Sequence, residues 1–528
     1  MNKGYSRASV AIIAVVFTAC AGGLLDPDGG GAHDRRAALE GFVLADAMDN
    51  AAVHVSTLGT DDKTCGSVQQ PCRSITYGME QALSLGVASA VRVAGGEYAE
   101  SIDLLDGVSI FGGFSSDFKT GLGADATIIN GTLLSGEAIA LRAESIRRPT
   151  EVAHLTLRAT DGERAGGSSY GVLVGDSPAL SLKDLVIIAG AGSPGAKSND
   201  GAKGDDGEAG TLGANAGFFL AIPLGCSPMP GAGIGGTTTC GSAGGKGGGG
   251  AVIDIFTLCY GEAGFPAEGV LGATLTCSDT TKGQGGIGGN PGREDNCAGT
   301  ITTVEATPGT DGCAGSLGED GVHGRGGLSM GTFDQAGIYL PADGATGLNG
   351  EHGGGGGGGG GGGEFEACDG GVFHGAGGGG GGAGGCGGEG GEGGKGGGGS
   401  FGIVVRMGHA SLSITGCQVE TGAGAKGGDG GAAGASGSAG VAGNGGAAWA
   451  GATGGGKGGP GGASGAGGPG GGGGGGPSIG LVVGEGPMPW VVETTFKVST
   501  AGLGGGSSQT GEDGAQGMSQ DTYTSETH

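Results

Sequence analysis

The chain has 528 residues, of which 145 are glycine and only 4 % are aromatic. Glycine makes up about 7 % of an ordinary protein, so a single conventional hydrophobic core is excluded for most of this sequence. Lys and Arg total 25 against 52 Asp and Glu, which gives a formal net charge of −27. A chain this acidic repels phosphate backbones, and we therefore expect no nucleic-acid partner.

Residues 1–19 have the features of a secretory signal peptide. Lys3 and Arg7 precede the apolar run 8–18, which is shorter than the roughly 20 residues that cross a bilayer. The run ends in Phe-Thr-Ala-Cys at positions 17–20 and resembles the lipobox of bacterial lipoproteins, although Phe17 stands where Leu is usual. The resemblance implies that Cys20 is lipidated, that residues 20–50 form a tether, and that the protein is exported to the outer membrane. An ordinary signal peptide with an incidental Cys20 is the alternative.

Residues 51–190 have the apolar patterns of an ordinary folded protein. Strand-like runs at 53–57, 90–98 and 107–114 accompany a helix-like stretch after Ser74, which has the position of an N-cap. In this order the segments resemble the N-terminal end of a pectin-lyase-like right-handed parallel β-helix. The resemblance implies an all-β fold in which a short capping helix covers one end of the core and coils of three strands stack behind it. An antiparallel sandwich is the alternative, and it would show tight hairpin turns between most strands.

One phrase occurs three times, as Ser-Tyr-Gly-Val-Leu-Val at 169–174, Ser-Phe-Gly-Ile-Val-Val at 400–405 and Ser-Ile-Gly-Leu-Val-Val at 478–483. The apolar positions that follow the first two copies also align, for example Leu182 with Ile414 and Leu185 with Cys417. A single coil leaves its apolar face exposed unless another coil covers it. We therefore predict that coil 400–421, coil 478–501 and the coil at 169–190 are neighbours in space.

Glycine-rich sequence separates these coils, as a Gly/Cys-rich insert at 191–399 and a glycine-triplet insert at 422–477. Glycine recurs at every third position from 428 to 446, a period that fits a left-handed helix with three residues per turn. Packed helices of this kind and plain disorder are both open. We expect the run Gly353–Gly363 to be a loose linker, residues 502–528 to be a flexible tail, and deletion of 427–476 to remove only a surface insert.

Twelve cysteines in an exported chain indicate disulfides. Cys65 and Cys72 are close in sequence and are predicted to pair, whereas Cys417 aligns with the inward Leu185 and is predicted to stay free. Eight further cysteines, whose connectivity stays open, lie in or beside the glycine-rich middle: Cys226, Cys240, Cys259, Cys277, Cys297, Cys313, Cys368 and Cys386. The chain has no CxxC pair, and its histidines are scattered, so we expect no metal site and no cofactor.

No catalytic residue is predicted. Outward strand positions carry mainly Ser, Thr and Gly, and the basic cluster of Arg142, Arg147 and Arg148 is interpreted as a solvated turn. The chain is similar to the glycine-rich surface lipoproteins of the myxobacterial type. That resemblance implies a non-catalytic structural or adhesive scaffold, attached to the membrane by its lipid, with polysaccharide or extracellular matrix as candidate partners. A carbohydrate-active enzyme, either a polysaccharide lyase or a hydrolase, is the alternative.

Overall fold

The computed structural model describes residues 52–85, 89–134, 137–218, 231–252, 277–278, 282–295, 297–508 and 510–525. The predicted signal peptide at 1–19, the lipidation site Cys20 and the tether at 20–50 lie outside the described residues. Among the described residues, no helix combines the length and the apolar character needed to span a membrane.

The secondary structure is almost entirely β. The N-terminal part holds the α-helix α1 (Ile75–Ser84), a 3-10 turn (Ala124–Ala126) and strands β1 (Ala52–Val55), β2 (Ser89–Ala94), β3 (Gly96–Tyr98), β4 (Ile102–Leu104), β5 (Val108–Phe114), β6 (Thr127–Gly131), β7 (Leu133–Leu134), β8 (Glu137–Ala143), β9 (Thr150–Ala153), β10 (Thr156–Ala159), β11 (Ser169–Val174), β12 (Leu180–Lys183) and β13 (Val186–Ile188). Short strands follow in the glycine-rich region: β14 (Gly217–Phe218), β15 (Gly292–Asp295), β16 (Thr302–Val304), β17 (Thr332–Phe333), β18 (Tyr339–Leu340), β19 (Phe365–Glu366) and β20 (Val372–His374). The C-terminal strands are β21 (Ser400–Met407), β22 (Ser413–Thr415), β23 (Gln418–Glu420), β24 (Ser478–Glu485), β25 (Trp490–Val492), β26 (Thr495–Lys497) and β27 (Ser519–Thr524).

Three long parallel sheets are built from these strands. Sheet A has the order β1-β2-β5-β9-β12-β22-β25, sheet B the order β3-β6-β10-β13-β23-β26, and sheet C the order β4-β8-β11-β21-β24-β27. From β2 onward the chain visits sheets A, B and C in turn, so that the neighbour of each strand belongs to the next circuit. The prediction of an all-β fold with parallel sheets is confirmed. The antiparallel sandwich is wrong, since β7 with β8 is the one antiparallel pair among the described strands of these sheets.

The three repeated phrases lie side by side in sheet C. Ser169 pairs with Ser400 and Ser400 with Ser478, although the first two are far apart in sequence. In sheet A, Leu182 pairs with Ile414, as the alignment predicts. Their side chains are fully buried between the sheets. The prediction that these coils are spatial neighbours is therefore confirmed.

The turn from sheet A to sheet B is made by one residue in the left-handed region. That residue is His154, Asp184, Gly416 or Glu493 in four successive circuits, with φ between 48° and 66°. A left-handed residue reverses the chain within a single step, which is costly for residues other than glycine. The apolar run 152–157 is consequently divided between β9 and β10 and lies in two sheets.

Helix α1 covers the N-terminal end of the core. The Ser74 hydroxyl accepts a hydrogen bond from the Tyr77 N–H at 3.3 Å, so Ser74 is the N-cap, as its position in the sequence predicts. Ile75, Met79 and Ala82 are buried on the face towards the sheets. The N-cap fixes where the helix begins, and the apolar face holds it over the open end of the core.

All the glycine-rich stretches leave at the turn from sheet B to sheet C and together form one hydrogen-bonded body. We call this body the glycine bundle; it comprises the described parts of 191–399, 422–477 and 500–518. The N–H groups of every third residue of 428–446 donate to carbonyls of 377–395 at 2.7–2.9 Å. Those of every third residue of 195–213 donate to 426–444 at 2.8–3.1 Å. The described inserts are therefore ordered, with the period of a three-residue helix.

The run Gly353–Gly363 is not a loose linker, and that prediction is wrong. Its N–H groups donate alternately to 376–385 and to 307–316, at 2.7–3.2 Å, and Gly355–Gly363 are buried. Carbonyls of the same run accept from a third segment, with Gly245 donating to Gly356 and Gly248 to Gly359. Continuous glycine is needed here because neighbours approach the segment from every side.

The prediction of a flexible tail at 502–528 is also wrong for its described part. Gly502 and Gly505 donate to the carbonyls of Gly476 and Gly473 at 2.9 and 2.8 Å. Strand β27 then pairs with β24 and completes sheet C. The tail is held because it covers an edge strand whose backbone groups would otherwise lack partners.

Candidate functional site

Charged side chains from four successive circuits converge at the turn from sheet C to sheet A. We call this group the charged corner; its members are Asp106, Glu144, Arg147, Arg148, Asp176, Arg406 and His409. The parallel stacking of the circuits brings together residues that are far apart in sequence, 233 positions for Asp176 and His409 and 262 positions for Glu144 and Arg406.

Each carboxylate of the charged corner has a cationic partner. Arg148 Nε donates to Asp106 Oδ2 at 2.9 Å, and the backbone N–H groups of Arg147 and Arg148 both donate to Asp106 Oδ1 at 2.7 Å. Asp176 lies between Arg147 and His409, and its Oδ1 is 2.6 Å from His409 Nε2. Arg406 pairs with Glu144. The corner is therefore a ladder of ion pairs that runs along the stack.

The predicted basic cluster does not exist as a cluster. Arg147 and Arg148 lie in the charged corner, whereas Arg142 lies in β8 beside Asp103 of β4. Sequence analysis missed Asp106, Asp176 and His409. The signal for two of them was present, because Asp176 and His409 each follow the first glycine after a copy of the repeated phrase.

These contacts favour the ionised form of Asp106 and of Asp176. Hydrogen bonds from Arg147 and His409 hold the pKa of Asp176 below its ordinary value. Partial desolvation acts to raise the pKa of Asp106, but hydrogen bonds from Arg148 and Arg147 outweigh it and lower that pKa. A glycosidase needs one carboxyl group that stays protonated beside one that is ionised.

Four disulfides are present among the described residues. The two cysteines predicted to pair, Cys65 and Cys72, are bonded to each other. The others join Cys240 to Cys386, Cys277 to Cys313 and Cys297 to Cys368. Disulfides persist in oxidising compartments, so they indicate an extracytoplasmic protein. Cys226 and Cys259 lie outside the described residues.

Cys417 is a free, buried thiol in the core, as its alignment with Leu185 predicts. Burial raises the pKa of this thiol to about 11. A thiol that is buried and protonated is unreactive, and Cys417 therefore acts as a small apolar side chain rather than as a nucleophile.

One group of side chains has the composition of a metal site. Ligand atoms of Cys240, His352 and Cys386 all lie within 4.8 Å of one another. The two sulfurs are bonded to each other, however, and His352 Nδ1 accepts the Gly387 N–H at 2.9 Å. The disulfide would have to be reduced and the hydrogen bond to His352 Nδ1 broken before a metal could bind, so we assign no metal to this group.

Side-chain oxygens supply acceptors along the rim of the glycine bundle. Oδ1 atoms of Asp and Asn accept backbone N–H groups of a neighbouring segment at 2.7–2.9 Å, in the pairs Asp200 with Ala432, Asp206 with Ser438, Asn215 with Ala447, Asp311 with Lys457 and Asp320 with Ala466. The ammonium of Lys203 and the Ser438 N–H hold the pKa of Asp206 well below its ordinary value. These carboxylates finish the hydrogen-bond network where the bundle meets solvent.

No protein-family model, curated protein or solved structure matches the chain significantly. The functional inference therefore depends on the geometry of the charged corner, the disulfides and the glycine bundle.

Proposed function

We propose that this protein is a non-catalytic, lipid-anchored scaffold of the outer surface, and that its stack of strands is a right-handed parallel β-helix of the pectin-lyase type. Lipid on Cys20 anchors it in the outer membrane, and the glycine bundle is the part that meets polysaccharide or extracellular matrix. The observation that carries the proposal is that all the described inserts join into one ordered body on one corner of the stack.

The bundle has two properties that suit a binding scaffold: a dense backbone hydrogen-bond network and several disulfides. Its hydrogen bonds connect segments from distant parts of the chain, for example Gly379 to Gly456 and Gly312 to Lys457. The same body carries three of the four described disulfides. A network of this density resists bending, and the exposed positions between the glycines are left to determine the surface chemistry.

A carbohydrate-active enzyme is the second candidate, and the charged corner is the observation that favours it. Carboxylates, arginines and a histidine from adjacent circuits converge there, as they would around a sugar. Against it, each of the three carboxylates already has a cationic partner.

One experiment separates the two functions. The purified protein is incubated with acidic and neutral polysaccharides, and co-sedimentation is measured together with the release of reducing ends or unsaturated products. A scaffold gives binding without product. An enzyme gives product that is lost in Asp176→Asn and His409→Ala.

A matched pair serves as the control for those variants. His154 and Asp184 also form a His–Asp contact, with 3.7 Å between Nδ1 and Oδ2, at the turn from sheet A to sheet B. The variants His154→Ala and Asp184→Asn should leave any turnover unchanged. Product release that depends on the charged corner would overturn the scaffold proposal. The absence of binding to any of the polysaccharide and matrix preparations tested would also overturn it.

A further inference from the structure

The disulfide between Cys240 and Cys386 joins a surface turn to an inner segment of the glycine bundle. Cys386 is 5 % exposed, whereas Cys240 is half-buried in the turn near Gly241. Cys240 is therefore the more accessible end of the disulfide for a nucleophile from solvent.

Hydrogen-bond donors surround the inner sulfur. Thr238 Oγ1 is 3.0 Å from Cys386 Sγ and 3.4 Å from Cys240 Sγ. A disulfide sulfur carries no proton, so the hydroxyl is the donor in both contacts. Thr239 Oγ1 is 3.6 Å from Cys386 Sγ but donates to Asp205 at 2.5 Å. Thr238 is thus the hydroxyl that can turn to either sulfur.

The exposed side chain of His352 also lies near the bond, with a ring nitrogen within 4.8 Å of both sulfurs. Its Nδ1 accepts the Gly387 N–H. In the neutral ring the proton is therefore on Nε2, and this N–H group can donate a hydrogen bond.

The disulfide between Cys297 and Cys368 provides an internal contrast. Cys297 is exposed, so access to it is easier than to Cys240. The two sulfurs, however, lie 3.5 and 3.8 Å from the carbonyl oxygen of Glu294. A carbonyl oxygen repels a developing thiolate, whereas a hydroxyl stabilises it. The pair Cys65 and Cys72 is buried and closed to attack.

We infer that the Cys240–Cys386 disulfide is a thiol-exchange site at which a low-molecular-weight thiol becomes attached to Cys240. The external thiolate attacks Cys240 Sγ, the bond from Cys240 to Cys386 breaks, and a new disulfide forms between Cys240 and the incoming sulfur. The incoming sulfur is oxidised, and Cys386 is reduced and leaves with the electron pair. The Cys386 thiolate accepts a hydrogen bond from the Thr238 hydroxyl and takes a proton from water. Low leaving-group basicity accelerates this exchange.

The test uses the oxidised, folded full-length protein and reduced glutathione as the thiol. Samples are quenched with acid over time, free thiols are alkylated, and the cysteines are mapped by mass spectrometry. We expect glutathione on Cys240 and a free thiol at Cys386 to form before any change at Cys297–Cys368. Thr238→Val should slow the exchange about tenfold.

Two further variants keep the test decisive. Thr237→Val is the matched control, because the Thr237 hydroxyl donates to Glu208 and contacts neither sulfur; it should exchange like the wild type. His352→Gln changes an exposed side chain and should slow the exchange without affecting thermal stability. Equal rates in Thr238→Val and Thr237→Val would overturn the inference. So would glutathione on Cys386, or earlier exchange at Cys297–Cys368.

Discussion

Glycine in this chain is distributed according to the number of neighbours that each segment has. An added Cβ would meet the carbonyl oxygen of Gln284 at Gly357, that of Lys246 at Gly358 and that of Gly456 at Gly359. Three successive residues thus face three different segments. Segment 195–213 lies at the rim, and there two residues in three are free to carry side chains such as Lys203 and Asp206.

Gly358→Ala is expected to destabilise the glycine bundle by about 3 kcal/mol, because the new methyl group would have to push a backbone carbonyl aside. The lowering of the unfolding temperature can be measured by calorimetry. Gly506→Ala is the control, since its Cβ would lie 3.6 Å from the nearest atom, Asp429 Oδ1. Equal unfolding temperatures for the two variants would contradict the close packing described for residues 353–363.

Acid should destabilise the protein through its paired carboxylates. The pKa values of Asp106, Asp176, Asp206 and Asp429 are all lowered from an ordinary 3.8 in the folded state. A lowered folded-state pKa contributes stability above the unfolded pKa, and that contribution is lost as the pH falls through the folded value. We expect these groups to stabilise the fold fully above about pH 5, where they make the unfolding temperature nearly independent of pH, and the unfolding temperature to decline below about pH 4.

Asp206→Asn tests this dependence at one position. The amide oxygen can still accept the Ser438 N–H but no longer attracts Lys203, so the decline in acid should be shallower than in the wild type. Asp125→Asn, at an exposed carboxylate without a hydrogen bond in the described structure, is the control. A variant that declines as steeply as the wild type would exclude Asp206 as a contributor.

At the scale of whole segments, the inserts prove to be mutually dependent. Segment 456–476 donates to 342–360 and to 425–443, and it accepts from 379–397. The expectation that deleting 427–476 removes only a surface insert is therefore wrong. The three sheets retain their own buried core, whereas the rest of the bundle loses two of its inner neighbours.

Deletion of 427–476 is accordingly expected to leave the sheets folded and to loosen the remaining bundle. Limited proteolysis and hydrogen exchange should show new cleavage and faster exchange in 376–398, while 137–188 stays protected. A chain in which a glycine-serine loop of equal length replaces the turn 448–452 is the control. Unchanged protection of 376–398 would mean that the inserts are independent of one another.

At the scale of the whole molecule, attachment to the membrane is proposed to depend on one thiol. Cys20→Ala should move the protein from the membrane fraction to the soluble fraction and abolish its acylation, because its net negative charge gives no attraction to anionic lipid. Fractionation and mass spectrometry of the N-terminus measure this. Cys417→Ala, at the buried free cysteine, should remain acylated and membrane-bound. Acylated, membrane-bound Cys20→Ala would contradict the proposal.

The features that the sequence determined by itself are those that depend on local periodicity. The period of two in the repeated phrases predicted strands, and the alignment of the copies predicted the pairing of Leu182 with Ile414. The period of three fitted a helix with three residues per turn but left disorder open as an alternative, whereas the separation of only 7 residues between Cys65 and Cys72 predicted their disulfide.

Tertiary structure alone decided which distant residues meet. Cys240 and Cys386 are 146 residues apart, and Asp176 and His409 are 233 apart. Local sequence patterns do not predict such pairs, because the two residues become neighbours only when the circuits stack in a particular order. Tertiary contacts also decided that the glycine runs adopt a regular, ordered structure. Glycine on its own loses the most conformational freedom when it becomes ordered, and a run such as Gly353–Gly363 is held only where neighbouring segments accept and supply its backbone hydrogen bonds.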